Sequence, residues 1–485
     1  MPKKEQAVPA ELLARMQPGA GSVPPGARAL ERPLLGTTLY ITTRRLDTRF
    51  GEWTAHVFQD IADKHHILAL TFGDVSGGEP LHTRLHSSCL TSETLCGCDC
   101  DCSQQLEGAF RAIAARGRGI LFYLMQEGRG VGFFGKARDR MLVQASGDRV
   151  STFAAYEAFG LRRDHRNYGN IPHICRLLGI QAPFIVLTNN PDKVRAIRAA
   201  GFSIAGTEPL EFEPGPFNIA YLSSKADGGH ALRRPSASRV ARAGTPEPLE
   251  LFRPEALPEA PRFIRGACYF LPIRPPGGEV VLGAGRFAEI FAGRDAGRLA
   301  ADKGSGILAV EELGGGRRLA RIDAEALARR GEFGALLTEP CWFRAHAYYD
   351  TLRSRDAVVL THGDPAADAA PVARAHGESL FERFPLRTRR NRDLFQETVR
   401  RIARHGAGVI VLTGGGGLSA DPGAADAGVD CDAALRLLRH HVPGGRVRLA
   451  AGTPDGPERA PAFAEAARRL GLSVEEWLFW GGAAA

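Results

Sequence analysis

Motifs in the first half of this chain return in the second half at one nearly constant shift. This constrains the fold before anything else does, because a duplicated segment has to build the same order of elements twice. Trp53-Thr54-Ala55-His56 stands against Trp342-Phe343-Arg344-Ala345-His346, and Leu70-Thr71-Phe72-Gly73-Asp74 against Leu360-Thr361-His362-Gly363-Asp364. Arg84-Leu85-His86 falls on Arg374-Ala375-His376, at a shift near 290 residues. The register persists from Ala112–Gly117 to Arg401–Gly406 and, after small gaps, from Pro191-Asp192 to Pro454-Asp455. A chain of 485 residues exceeds what one hydrophobic core usually organises. Residues 231–262, rich in proline, arginine, serine and alanine without a sustained apolar period, read as a linker. The expected organisation is a loose tail over 1–36, a domain over 37–230, the linker, and a second domain over 263–485.

Within the first copy, His66–Phe72 reads as a buried strand ending at the turn Gly73-Asp74. Gln105–Arg116 carries a helical stripe (Leu106, Phe110, Ile113, Ala114) with Ser103 as its N-cap and Gly117 as its stop. Ile120–Met125 and Phe184–Leu187 read as strands, and Asp192–Ala200 as a helix ended by Gly201. Strands alternating with helices predict an α/β class. Nothing approaches eighteen consecutive apolar residues, and the first 36 residues lack a continuous apolar segment, so neither a membrane span nor a secretory signal is expected and the setting is cytoplasmic. The net charge of +8 is spread along the chain without a basic block, which suits a small polyanion better than nucleic acid.

Five of the nine cysteines, Cys89, Cys96, Cys98, Cys100 and Cys102, are packed together immediately before the Gln105–Arg116 helix. Such crowding in a chain without secretion signals points to metal or catalysis before disulfides. Thiolates are favoured ligands of Zn²⁺, and a catalytic site uses three protein ligands, leaving a fourth position to a water whose pKa drops to about 7. Spacing alone does not say which three bind, and a closed four-cysteine structural site or a redox cluster are the alternatives. Gln126-Glu127-Gly128-Arg129-Gly130-Val131-Gly132 lies between a strand and a helix and offers a carboxylate for an N–H edge, with an arginine and backbone amides for phosphate.

Over about 180 residues these motifs resemble the GTP cyclohydrolase II family. The resemblance rests on Arg84-Leu85-His86-Ser87-Ser88-Cys89-Leu90-Thr91, Cys100-Asp101-Cys102 followed by Gln105-Leu106-Glu107, the complete Gln126–Gly132 motif, Thr152–Tyr168, and Leu187-Thr188-Asn189-Asn190-Pro191-Asp192-Lys193. It implies an α/β domain with a mixed sheet and flanking helices, one Zn²⁺ held by Cys89, Cys100 and Cys102, and Cys96 and Cys98 as extras. It further implies Asp164 as proton acceptor and Arg166 as catalytic arginine, Glu127 as the guanine reader, and Arg84, Arg129 and Lys193 on the triphosphate with Mg²⁺. His86, Ser87, Ser88, Gln105, Gly128, Thr152 and Thr188 complete the nucleotide site. The implied reaction opens the imidazole ring of GTP and releases formate and pyrophosphate, the first step of riboflavin synthesis. The resemblance also implies homodimers, so the second copy is expected to take the partner's place in an intrachain pseudo-dimer, with a homodimer as the alternative.

The departures define the alternatives. The family's glycine after the last zinc cysteine is Ser103, and its tyrosine in Lys-x-Arg-x-Tyr is replaced, the chain reading Lys136-Ala137-Arg138-Asp139-Arg140. Without a phenol there, a product that keeps the formyl carbon becomes an alternative, as does a non-catalytic GTP-binding protein. In the second copy Ser379 replaces Cys89, Arg387–Asn391 carries no cysteine, and Gly414–Gly417 replaces Gln126–Arg129, so a degenerate, metal-free copy is expected. Residues 263–340, unmatched by the repeat, are expected to pack on that copy and show no motif of a fused dihydroxybutanone-phosphate synthase or deaminase.

Overall fold

The computed structural model describes residues 34–230 except 148, 213 and 216, and residues 262–478 except 275–277, 303, 330–336, 338–339, 378–379, 389, 414–429 and 451–459. The first half builds β1 (Leu34–Leu35), β2 (Thr38–Thr48), β3 (Gly51–Asp60), β4 (His66–Phe72), β5 (Leu81–Ser87), β6 (Gly119–Leu124), β7 (Phe184–Leu187) and β8 (Ile204–Glu208). They form one mixed sheet in the order β1-β2-β3-β4-β6-β5-β7-β8. The second half begins with β9 (Phe263–Ile273), then forms a separate three-stranded sheet from β10 (Glu279–Leu282), β11 (Ile307–Gly314) and β12 (Arg317–Ile322). It continues through β13 (Cys341–Asp350), β14 (Arg355–His362), β15 (Val372–Gly377), β16 (Gly408–Thr413), β17 (Arg446–Ala450) and β18 (Ser473–Leu478). Its large sheet runs β9-β13-β14-β16-β15-β17-β18, which is the order of β2 to β8 repeated strand for strand.

The duplication holds at the level of single contacts. His56 lies opposite Ala69 across β3 and β4, as His346 lies opposite Val359 across β13 and β14. The imidazole of His56 meets the Thr71 hydroxyl at 3.3 Å and that of His346 meets Thr361 at 3.1 Å. Gly73 and Gly363 both have positive φ, and a Cβ on either would come within 2.1 Å of a carbonyl oxygen, that of Gly117 or Gly406. Only glycine fits that turn without strain. The central strands β6 and β16 are buried along their whole length, as strands covered on both faces should be.

The structure corrects the sequence reading in three places. β9 is the counterpart of β2, so part of 263–340 belongs to the repeat; the three-stranded sheet is an insertion where the first half has only the tight turn from Thr48 to Gly51. Phe343, not Trp342, stands where Trp53 stands, both fully buried, while Trp342 faces the other way and meets the Phe217 ring edge-on at 5.8 Å. A strand alternates faces, so an alignment slipped by one residue reverses every side chain. The helix expected from Gln105 begins at Cys102, and Ser103 sits inside it, its N–H donating to the Ser92 hydroxyl at 3.0 Å; the capping oxygen comes from the preceding loop. Ser379, Gly414–Gly417 and Pro454-Asp455 lie outside the described residues. No described helix is long and apolar enough to cross a membrane.

Each half completes the other's core. Leu90 and Leu95, from the loop after β5, pack with Tyr269, Leu271 and Phe343 of the second sheet. The equivalent loop after β15 sends Leu380, Phe381, Phe384 and Leu386 into the first sheet against Leu46, Trp53 and Phe110. Two isolated bridges repeat the relation: Thr48, the last residue of β2, pairs with Leu386, and Ile273, the last of β9, pairs with Gly97. Reciprocal contacts of this kind are those of a two-fold, isologous interface. The helix Gly132–Ala145 also lies on the second sheet, where Gln144 exchanges two hydrogen bonds of 2.7 Å with the backbone of Phe270. Gly266 leaves the space that the Phe134 ring occupies.

Phe384 is fully buried, its ring edge-on to Tyr123 at 5.0 Å. Phe384→Ala is therefore expected to lower the stability of the protein by about 3–5 kcal/mol in urea unfolding. A loss under about 1 kcal/mol, the scale of a surface change, would mean that this loop does not close the first core.

Candidate active site

β5 and the helix Cys102–Ala115 bring three thiols to one point. The sulfurs of Cys89 and Cys100 are 3.7 Å apart, and those of Cys89, Cys100 and Cys102 all lie within 4.8 Å of one another, the one such metal-ligand group among the described residues. Tetrahedral thiolates around a Zn²⁺ at roughly 2.3 Å would sit about 3.8 Å apart, so the donor set fits that ion. Hydrogen bonds with the Cys100 and Cys102 thiols, helped by the Lys136 ammonium at 3.0 Å, hold Cys89 well below the usual thiol range. Cys96 and Cys98 turn away to the other half. The Cys96 sulfur accepts from Gln396 at 3.6 Å, and Cys98 donates to the Pro272 carbonyl at 3.2 Å, burial pushing its thiol up to about 12.

The Gln126–Gly132 segment wraps this cluster. Gly128 and Arg129 both take left-handed backbone angles (φ 56° and 58°), unusual for an arginine and the kind of strain that surrounding contacts must hold. Those contacts are visible: the Arg129 carbonyl accepts from the His165 N–H at 2.9 Å, and Gln126 makes a two-way amide bridge to the backbone of Asn167. The Glu127 carboxylate accepts from the Leu90 N–H at 2.6 Å and from Lys136 at 2.9 Å. Burial raises its pKa against the pull of Lys136.

A cleft of about 970 Å³, its open mouth included, runs from these thiols over the ends of β5 and β7. Arg84, His86, Ser87, Ser88, Cys89, Cys102, Gln105, Glu127, Gly128, Arg129, Thr152, Arg166, Thr188 and Lys193 all line it. Cys100 stands behind Cys89 in the thiol cluster. Asp164 does not line the cleft; it holds Arg166 through hydrogen bonds of 2.9 and 3.1 Å, which keep its carboxyl low although burial works against the charge. Within this ion pair Asp164 steers Arg166 before it can accept a proton.

Charge in the cleft is unbalanced. Lys136 faces Glu127, Arg140 faces Asp99, Arg166 faces Asp164 and Lys225 faces Asp101. Arg84, Arg129 and Lys193 have no carboxylate within ion-pair distance among the described residues. Arg84 donates to the Leu187 carbonyl at 2.6 Å and to Gln105 at 2.5 Å, Lys193 to the Leu85 carbonyl at 2.8 Å, and Arg129 stacks over the Phe153 ring at 4.0 Å. Burial, together with Arg84 and Arg166, pushes Lys193 well below its ordinary range. The buried Nε of Arg84, Nδ1 of His86 and Oγ of Ser87 find no partner among the described residues. The unspent donors of Arg84 and Ser87 and the surplus positive charge in a concave site call for an anionic, oxygen-rich ligand.

Lys136, Asp139, Arg140, Tyr156, Tyr221, Lys225 and His230 also line the cleft and were not expected. Lys136, Asp139 and Arg140 share one face of the Gly132–Ala145 helix, a signal that usually means a solvated face; here that face is buried because Phe133, Ala137 and Met141 on the other side sit in the second sheet's core. Arg140 does replace the tyrosine and stacks over Tyr221 at 4.5 Å, but Tyr156 and Tyr221 reach the cleft from two other helices. The Tyr156 hydroxyl is spent on the Gly128 carbonyl at 3.0 Å.

The family model for GTP cyclohydrolase II matches residues 40–209 and 334–421. A GTP cyclohydrolase-2 of Azotobacter vinelandii is 44% identical over 197 residues, covering 40% of this chain and 93% of that protein. Relatives of the same description from Neisseria meningitidis (41% over 194 residues, 40% of this chain, 96% of theirs) and Pseudomonas syringae pv. tomato (38% over 206, 42% and 98%) match comparably. Each relative thus spans about one copy of the repeat. One metal ion per chain is expected in elemental analysis of the purified protein, and Cys100→Ser should weaken its retention tenfold or more. Full retention would remove Cys100 from the ligand set.

Proposed function

The chain belongs to the GTP cyclohydrolase II family, and from that premise we propose that its first half, residues 37–230, is a zinc hydrolase that opens the guanine imidazole ring of GTP. The proposed products are formate, pyrophosphate and the ring-opened nucleotide, in the first step of riboflavin biosynthesis. The observation that carries this reading is that the three-thiol cluster and the three cations without carboxylate partners, Arg84, Arg129 and Lys193, share one cleft. The second half, 263–485, serves in this reading as a metal-free partner within the chain.

A zinc ion held by Cys89, Cys100 and Cys102 would supply the Lewis acid that makes water nucleophilic at neutral pH. The chain's own groups do the rest. Arg84, Arg129 and Lys193 hold the triphosphate, with Mg²⁺ sharing its charge, and Arg166, kept in place by Asp164, stabilises charge at the α-phosphate. Glu127 offers its carboxylate to the N–H edge of guanine, and Lys136 beside it keeps that carboxylate an acceptor. Ser87, Ser88, Thr152 and Thr188 border the nucleotide, and Tyr221 is the phenol free to donate a proton near the reacting ring, Tyr156 being committed to Gly128.

Incubating the zinc-loaded protein with GTP and Mg²⁺ should yield formate and pyrophosphate in amounts equal to the GTP consumed. A product retaining the formyl carbon would replace the full reaction with ring opening alone, and tight GTP binding without product would replace the enzyme by a binding protein. Lys193→Met should raise KM for GTP at least tenfold, since it removes a buried contact to phosphate. GTP binding should also take up protons at a pH above the depressed Lys193 value, because a triphosphate favours the charged form of this amine that burial, Arg84 and Arg166 disfavour. Calorimetry in buffers of different ionisation enthalpy reads that uptake, and zero uptake would mean that Lys193 is already charged.

A further inference from the structure

The counterpart of Glu93 in the second copy, at the shift of 290 that relates the two loops, is Arg383, and the two meet. Glu93 follows Cys89 in the loop after β5 and its side chain is fully buried; Arg383 lies in the equivalent turn Leu380–Arg383. The Arg383 guanidinium stands 3.9 Å from the Glu93 carboxylate and donates to the Tyr123 hydroxyl at 2.9 Å. Tyr123 in turn donates to Glu93 at 2.5 Å. A second arginine of that half, Arg392, donates to the main-chain carbonyl of Glu93 at 3.2 Å. On its other oxygen Glu93 meets Nε2 of His86 at 2.8 Å, and His86 lines the cleft with its buried Nδ1 unpartnered.

We propose that the second copy is a positioning subunit: Arg383, through the Tyr123 hydroxyl, holds the Glu93 side chain against His86, and Glu93 thereby fixes His86 as the Nε2–H tautomer. The chemistry follows from the hydrogen-bond inventory. Arg383 donates to the Tyr123 hydroxyl, whose own hydrogen goes to one Glu93 oxygen, and the other oxygen, an acceptor, takes the hydrogen of the imidazole opposite it.

The same geometry explains why the two copies differ at this position. Two identical copies facing each other across the two-fold relation would bring two like charges together in a dry site. A glutamate in one copy and an arginine in the other turn that repulsion into a pair, so the intrachain arrangement excludes pairing of like copies.

The inference rests on the proposed cyclohydrolase reading for its kinetic arm only. In the full-length, metal-loaded protein, ¹⁵N NMR of His86, assigned by loss of its signals in His86→Gln, should report the Nε2–H tautomer, and Arg383→Met should abolish that signature. With GTP, Arg383→Met should lower kcat about tenfold to a hundredfold, as loss of an outer-sphere partner does, leave KM little changed, and be largely rescued by Arg383→Lys. Tyr123→Phe, which removes the bridging hydroxyl and no charge, should weaken the same tautomer signal, and it decides the matter if Arg383→Met does not fold. A protein without GTP turnover would sink the functional reading and leave the NMR test standing. An unaltered His86 tautomer in Arg383→Met, or in Tyr123→Phe where that variant decides, would overturn the proposal.

Discussion

Each of the two large sheets is left open by its own half of the chain and closed by a loop of the other. Leu380, Phe381, Phe384 and Leu386 lie against Trp53 and Phe110, and Leu90 and Leu95 lie against Leu271 and Phe343. Side chains of this size stabilise by about 1.5–3 kcal/mol each when fully buried, so neither core is complete without the exchange. The site inherits this dependence. The loop that inserts Leu90 and Leu95 is the loop between Cys89 and Cys100, and the helix that carries Lys136 and Arg140 into the cleft has its apolar face in the second sheet.

The cleft shows how one set of buried charges is divided between fold and ligand. Carboxylates compensate Lys136, Arg140, Arg166 and Lys225, and these pairs hold the thiol cluster, the Gly132–Ala145 helix and the Asp164 segment in place. Arg84, Arg129 and Lys193 make only carbonyl, amide and ring contacts, which orient a cation without neutralising it. Lys193 is depressed by its burial first and by the neighbouring charges of Arg84 and Arg166 second, and an anion would offset both. The strained Arg129 backbone belongs to the same design, because the left-handed turn aims that guanidinium along the cleft wall.

Much of this was legible from residue order. β4 and β7 were readable to the residue, since an apolar run bounded by turn residues leaves little choice, and the Gly73 and Gly363 turns followed from the repeated Gly-Asp. Fourteen of the expected site residues line the cleft, most of them in compact motifs at the ends of β5, β6 and β7, where the chain leaves the sheet, with Cys102, Gln105, Thr152 and Arg166 added from the segments that follow β5 and the Gly132–Ala145 helix. The unread residues share a different cause. Lys136, Asp139 and Arg140 look like an exposed helical face unless the second sheet is already known to cover the opposite one. Tyr221 and Lys225 come from the helix Ile219–Asp227, which has no motif of its own, and His230 follows just after it, all brought to the cleft from the far end of the domain.

Residue order by itself determined the duplication, the strand succession and the thiol cluster, because these depend on spacing along one chain and on periodicities of two and 3.6. Tertiary structure alone decided that Cys96 and Cys98 face the other half, that Phe343 and not Trp342 fills the place of Trp53, and that Glu93 meets Arg383. These outcomes depend on which surfaces two folded copies present to each other. A pair at a separation of 290 residues becomes a contact only when the two-fold packing of the sheets brings equivalent loops together, and no local propensity encodes that packing.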